Sequence, residues 1–99
     1  MSSSAFEELE NNYTEIVGLM PAKFDSHEFI LVLAQRYQQL YVQALSEYAD
    51  NNQPFLTVHG EIAKRLKKRE DLVKHIGNRT SKNIFGDNSD AAGWQKVNK

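Results

Sequence analysis

Between Asp25 and Tyr48 the chain holds no glycine and no proline, and its apolar residues recur at helical spacing. Such a stretch predicts one continuous helix of about 35 Å, at about 1.5 Å of rise per residue. Asp25 stands at the N-cap position with Glu28 three residues on, and Phe24 is placed to pack against Phe29 as a hydrophobic staple. The run Asp50-Asn51-Asn52-Gln53-Pro54 ends the helix. On a helical wheel Phe29, Ile30, Leu33, Ala34, Tyr37, Leu40, Tyr41, Ala44, Leu45 and Tyr48 fill a sector of about 160°, against a little over 100° for an ordinary surface helix. Gln35, Gln39, Gln43 and Ser46 lie opposite, and Arg36 is the only charge between Phe29 and Ser46. Charges are depleted where surfaces become buried, so the helix is expected to be covered on most sides.

Shorter helical patterns flank this one. From Ala5 to Val17, and on to Met20, Phe6, Leu9, Tyr13, Ile16, Val17 and Met20 fall on one face. Ser4 and Glu7 have the spacing of a capping box, and Gly18 with Pro21 supplies the stop. A third helix begins near Thr57 or Val58 and carries Val58, Ile62, Ala63 and Leu66. A fourth, Glu70 to Ile76, carries Leu72, Val73 and Ile76, with Gly77 placed to end it in the left-handed conformation. Residues 77–99 read as a looser tail of turns at Asn78, Asn83, Gly86, Asn88 and Gly93, with a short helical turn from Ser89 or Asp90 to Trp94. No strand pattern longer than three residues stands out. The expected fold is therefore all-α: a small helical bundle of about four helices around one long central helix, in a single domain over 1–99 with an irregular C-terminal tail.

Charge is divided along the chain. Residues 1–55 hold eight acids against two bases, and residues 56–99 hold ten bases against five acids. This asymmetry points to an anionic partner at one end, or to mutual attraction of the two halves, or to association between copies. With 40% hydrophobic and 25% charged residues the composition is that of a globular chain rather than a disordered one. The absence of cysteine removes disulfides, thiol nucleophiles and thiolate metal sites. No signal peptide pattern is visible, and the longest apolar run, Phe29 to Ala34, is far short of the about 20 residues that span a bilayer. The expectation is a cytoplasmic protein with no membrane association.

No catalytic, cofactor-binding or metal-binding motif is present. His27, His59 and His75 fall in three separate elements. His59-Gly60-Glu61 shares two letters with the His-x-Glu of zinc deaminases but lacks their cysteines. No Gly-rich phosphate loop and no Gly-x-Ser-x-Gly occurs. No enzyme, no cofactor and no small-molecule substrate are therefore expected.

Two binding functions remain. The first is protein–protein association, with a partner or a second copy, through the central helix, where Tyr37, Gln39, Tyr41, Gln43 and Tyr48 are the candidate interface residues. Tyrosine bridges apolar packing and a polar rim, and is enriched at interfaces. The second is nucleic-acid binding. Ile62-Ala63, Leu66, Val73 and Ile76 have spacing compatible with a helix-turn-helix over residues 61–77. Lys64, Arg65, Lys67, Lys68, Arg69 and Lys74 would meet phosphates there. The turn Lys67-Lys68-Arg69 lacks glycine, and Glu70 and Asp71 would open the reading helix with the wrong charge. Farther on, Arg79, Lys82, Phe85, Trp94, Lys96 and Lys99 mix cations and aromatics in the manner of single-strand binders, with packing of Phe85 and Trp94 onto the body as the competing reading.

Overall fold

The computed structural model describes residues 5–97. Five helices come first, interrupted by a short strand, and a long hairpin follows. The elements are α1 (Ala5–Glu10), α2 (Tyr13–Leu19), β1 (Lys23–Asp25), α3 (Ser26–Arg36), α4 (Gln38–Ser46), α5 (Pro54–Lys67), β2 (Val73–Lys82) and β3 (Asn88–Lys96). Of the described residues 51% are helical and 24% are in strands, which overturns the expected all-α helical bundle. The strands form an antiparallel sheet in the order β1-β3-β2, so the last strand lies between the other two.

The N-terminal apolar face is buried as its spacing predicts, from Phe6 and Leu9 through Tyr13, Ile16 and Val17 to Met20. The helix carrying it is broken rather than continuous. At Asn11-Asn12 the backbone tightens, with Asn12 N–H donating to Leu9 C=O at 2.9 Å, while the Asn12 amide side chain donates to Glu8 C=O at 2.9 Å. Asparagine side chains compete with the backbone in this way and favour helix ends over interiors. Ser4 lies outside the described residues, and with it the predicted capping box.

The long central helix is likewise two helices. Asp25 caps α3 as expected, its Oδ1 accepting the Glu28 N–H at 2.9 Å, and the Phe24 and Phe29 rings stack 6.3 Å apart. At Tyr37 the backbone leaves helical space, with φ −127° and ψ 58°. Beyond it α4 carries Ala44 and Leu45, and Tyr48 follows. The bend returns them to the core, where Ala44 is fully buried and Tyr48 meets the edge of Phe6 at 5.9 Å. No glycine or proline marks the bend, so nothing local predicts it.

The C-terminal third departs furthest from the helical expectation. The predicted helix 70–76 does not form: residues 70–72 turn, and Val73 starts β2. The tail is no loose segment, and its predicted helical turn 89–94 lies inside β3. The tip of the hairpin is built on Asn83, whose Oδ1 accepts from the N–H groups of Phe85 at 2.9 Å and Asp87 at 3.1 Å. Gly86 there has φ +85°. Gly77 does take a positive φ, +101°, but it does so at an irregularity between His75 and Asn78 where the register shifts. Such a bulge bends one strand against its partner. Trp94 folds the tail onto the body: it is 2% exposed and sits opposite Phe24 of β1.

The divided charges meet inside the molecule. Arg65 bridges Glu10 at 3.3 Å and Glu61 at 3.0 Å, and Arg69 reaches Glu10 at 3.9 Å and Asp71 at 3.1 Å. Arg79 holds Asp25 at 2.8 Å and also pairs with Glu28. The acidic and basic halves thus attract each other across the fold. Among the described residues no helix is long and apolar enough to cross a membrane.

Candidate functional site: a cleft between helix α5 and the hairpin

Helix α5 buries one stripe, Val58, Ile62 and Leu66, at steps of four. Tyr13 ties this stripe to α2 by donating its hydroxyl to Ile62 C=O at 2.9 Å, and burial raises the phenol well above its ordinary pKa. The opposite side of α5 carries Leu56, Gly60, Lys64 and Lys67, all exposed. Beside this side lie the start of α3 and the hairpin. Together they enclose a cleft of about 240 Å³, walled by Ile30, Leu56, Gly60, Ala63, Ala91 and Ala92 and edged by Ser26, His27, His59, Asn83, Ser89 and Asp90.

The hairpin is held over the cleft by polar contacts to the start of α3. His27 Nδ1 lies 2.8 Å from Ser81 Oγ and its Nε2 lies 3.2 Å from Ser89 Oγ, so one ring joins both strands. Ser26 accepts from Trp94 Nε1–H at 2.9 Å. Burial opposes ionisation of Asp25, but the Glu28 N–H, the Arg79 guanidinium and the Ser81 hydroxyl outweigh it and hold the carboxyl below its usual range. These contacts set the distance between hairpin and helix, and hence the width of the cleft.

Aromatic rings gather at one end. Phe55 and Phe85 meet edge to face at 4.9 Å, and His59 stacks on Phe85 at 6.3 Å and on Tyr41 at 5.8 Å. Phe85 is 56% exposed and Phe55 41%, so part of each ring meets solvent. The Tyr41 hydroxyl and His59 Nε2 are 2.6 Å apart. Burial, and secondarily the neighbouring His27, keeps His59 below the usual histidine pKa.

The structure separates the residues singled out from sequence into distinct groups. Of the candidate interface residues, the three tyrosines are half-buried and engaged within the fold: Tyr37 donates to Glu15, Tyr41 meets His59, and Tyr48 packs on Phe6. Only Gln39 and Gln43 are fully exposed. Of the candidate nucleic-acid contacts, Arg65, Arg69 and Arg79 are engaged with carboxylates. Lys64, Lys67, Lys68, Lys74 and Lys82 are exposed, and none forms an ion pair with another described residue. The helix-turn-helix over 61–77 is absent, because its second half is strand. Sequence spacing kept the histidines apart, whereas the fold places His27 and His59 on one cleft. Their pairing depends on the hairpin closing over α3 and α5, a contact between residues more than fifty positions apart. Lys99 lies outside the described residues, and Lys96 donates to Gly18 C=O at 3.2 Å.

No family profile, characterised protein or solved structure matches this chain.

Proposed function

We propose that the protein binds nucleic acid through the outer side of α5 and the adjoining hairpin. The observation that carries this reading is the division of labour among the cations. The guanidiniums of Arg65, Arg69 and Arg79 are engaged in internal ion pairs, while Lys64, Lys67, Lys68, Lys74 and Lys82 stand exposed with no carboxylate partner among the described residues. Lysine ammonium groups on a helix and an adjoining two-stranded ribbon are the elements that contact phosphate backbones. A cytoplasmic location belongs to the same proposal.

The test is a salt titration. Each neutralised phosphate contributes about −0.7 on single strands and about −0.9 on duplex DNA to the slope of log affinity against log salt. Changing Lys64, Lys67 and Lys68 together to glutamate is expected to weaken binding by about tenfold or more and to flatten that slope by about 2. Unaltered affinity and slope in the triple variant would remove the proposal.

Association between copies is a second reading, favoured by one surface of α4. Val42 is 60% exposed there, flanked by Gln38, Gln39 and Gln43 with no charge among them. The continuous rod on which this reading first stood is gone, but the exposed valine on an uncharged face remains. Sedimentation is expected to show a concentration-dependent dimer that Gln39→Glu with Gln43→Glu dissolves. A monomer at every concentration sinks it.

A further inference from the structure

The cleft between α3, α5 and the hairpin combines three properties that a bare backbone-binding surface does not need. Its walls are apolar: Ile30, Leu56, Gly60, Ala63, Ala91 and Ala92. At about 240 Å³ it is smaller than the roughly 300–1,000 Å³ of drug-sized ligand pockets, and suits one flat ring system rather than an extended molecule. Its polar lining residues keep atoms left over after the internal hydrogen bonds are made. Asp90 Oδ1 accepts from Thr80, leaving Oδ2 as an acceptor. Asn83 uses Oδ1 in the hairpin tip, leaving its Nδ2 as a donor. His59 meets Tyr41 through Nε2, leaving Nδ1. Residues that line one slot thus carry an acceptor, a donor and a nitrogen of either kind.

The part-exposed rings of Phe55 and Phe85 lie next to this slot, with His59 lining the slot and touching both rings. Lysines flank both walls: Lys64 follows Ala63 on α5, and Lys82 precedes Asn83 on the hairpin. A planar heterocycle edged with N–H and carbonyl groups, joined to a neighbouring ring and to anions on either side, has the complementary features. A single-stranded nucleic acid supplies all of them, since unpaired bases expose their edges and stack on aromatic side chains. In a duplex those edges are paired and the faces are stacked.

We infer that the cleft seats one unstacked base of a single strand, with its neighbour on Phe55 and Phe85, an inference that rests on the nucleic-acid reading. Oδ2 of Asp90 is free and Oδ1 keeps a second lone pair beside the Thr80 hydroxyl, so the carboxylate can accept two adjacent N–H groups and selects guanine, which offers two, over thymine, which offers one.

Three probes test this by fluorescence anisotropy: a short oligothymidine, the same strand carrying one central guanine, and a duplex of equal length. The protein is expected to prefer either strand to the duplex, and the guanine strand to oligothymidine. Gly60 lines the slot and a Cβ there meets nothing within 4 Å, so a Gly60→Leu side chain has room to enter it without displacing a neighbour. That the variant keeps the fold is checked by its unfolding midpoint. It is expected to weaken strand binding by about tenfold, the loss of roughly one stacked base, and to collapse the preference for strand over duplex. Asp90→Asn, which retains an oxygen for Thr80, is expected to erase the guanine preference. Salt-sensitive binding that Gly60→Leu leaves intact overturns the base slot and spares the nucleic-acid reading. Absence of binding by strand and duplex alike at low salt overturns both. A Gly60→Leu variant that changes only sedimentation shows a second copy in the cleft, and the inference falls.

Discussion

Replacing Trp94 with alanine is expected to cost about 3–5 kcal/mol, the range for deleting a buried tryptophan. Domains of this size have only about 5–15 kcal/mol in total, so the variant should be largely unfolded on mild warming. Trp94 is 2% exposed, lies opposite Phe24 in the sheet, meets His75 edge to face at 5.3 Å, and donates Nε1–H to Ser26 Oγ at 2.9 Å. Deleting it opens a cavity where β3 crosses the start of α3, and leaves the Ser26 hydroxyl without its donor. Trp94→Phe keeps much of the volume and loses the hydrogen bond, so it is expected to cost about 1–2 kcal/mol less than alanine. The chain has a single tryptophan, so the urea midpoint is read by circular dichroism rather than by its fluorescence. An alanine variant as stable as the parent would mean that the hairpin unfolds apart from the helices.

The contrast between what was and was not legible follows from how far each contact reaches along the chain. The apolar faces of α1, α2 and α5 were legible, because spacings of three and four among Phe6, Leu9 and Tyr13, or among Val58, Ile62 and Leu66, are set by one helix alone. The cap at Asp25 and the staple of Phe24 on Phe29 were legible for the same reason. Tyr37 was not: its bend satisfies the packing of Ala44 and Tyr48 on other helices, a demand with no local signature. The strands were hidden by polarity. Along β2 only Val73 is buried, so the alternation that marks a half-buried strand is missing from His75 to Lys82. What holds β2 in place is its pairing with β3 and the grip of His27 and Asp25 on Ser81 and Arg79, fifty-four residues away in sequence. Asn83 and Gly86 carry the chemistry of a turn, but no alternating apolar run flanks them to mark a hairpin. The same blindness kept His27 and His59 apart, and with them the cleft. Its lysines were legible as a charge pattern, but which cations stay unpaired only the fold decides.

Asp25 both caps a helix and ties down the hairpin, and its removal should be felt in each role. It is fully buried, caps α3 through the Glu28 N–H, and receives Arg79 from the hairpin at 2.8 Å. Losing a cap costs about 0.5–2 kcal/mol. Removing one partner of a buried pair costs about 3–5 kcal/mol, but the Arg79 side chain is 48% exposed and would rehydrate, so the lower part of that scale is discounted again. Asp25→Ala is therefore expected to lose about 2–3 kcal/mol in all. Asp25→Asn separates the two contributions, because asparagine caps as well as aspartate but carries no charge. Acid supplies an independent check. The native carboxyl is held below its ordinary value, so the stabilisation it brings is complete above the unfolded pKa of about 3.9 and disappears as pH falls through the lower native value. Glu15, also lowered by Tyr37 and Arg36, contributes to the same acid limb and is present in both proteins. Urea midpoints measured from about pH 6 down to about pH 3 should therefore fall more steeply for the parent than for Asp25→Asn, the curves converging at the acid end. Curves that stay parallel throughout would show that the carboxylate contributes only as a cap, and that the hairpin is held to α3 by His27 and Trp94 without help from the ion pair.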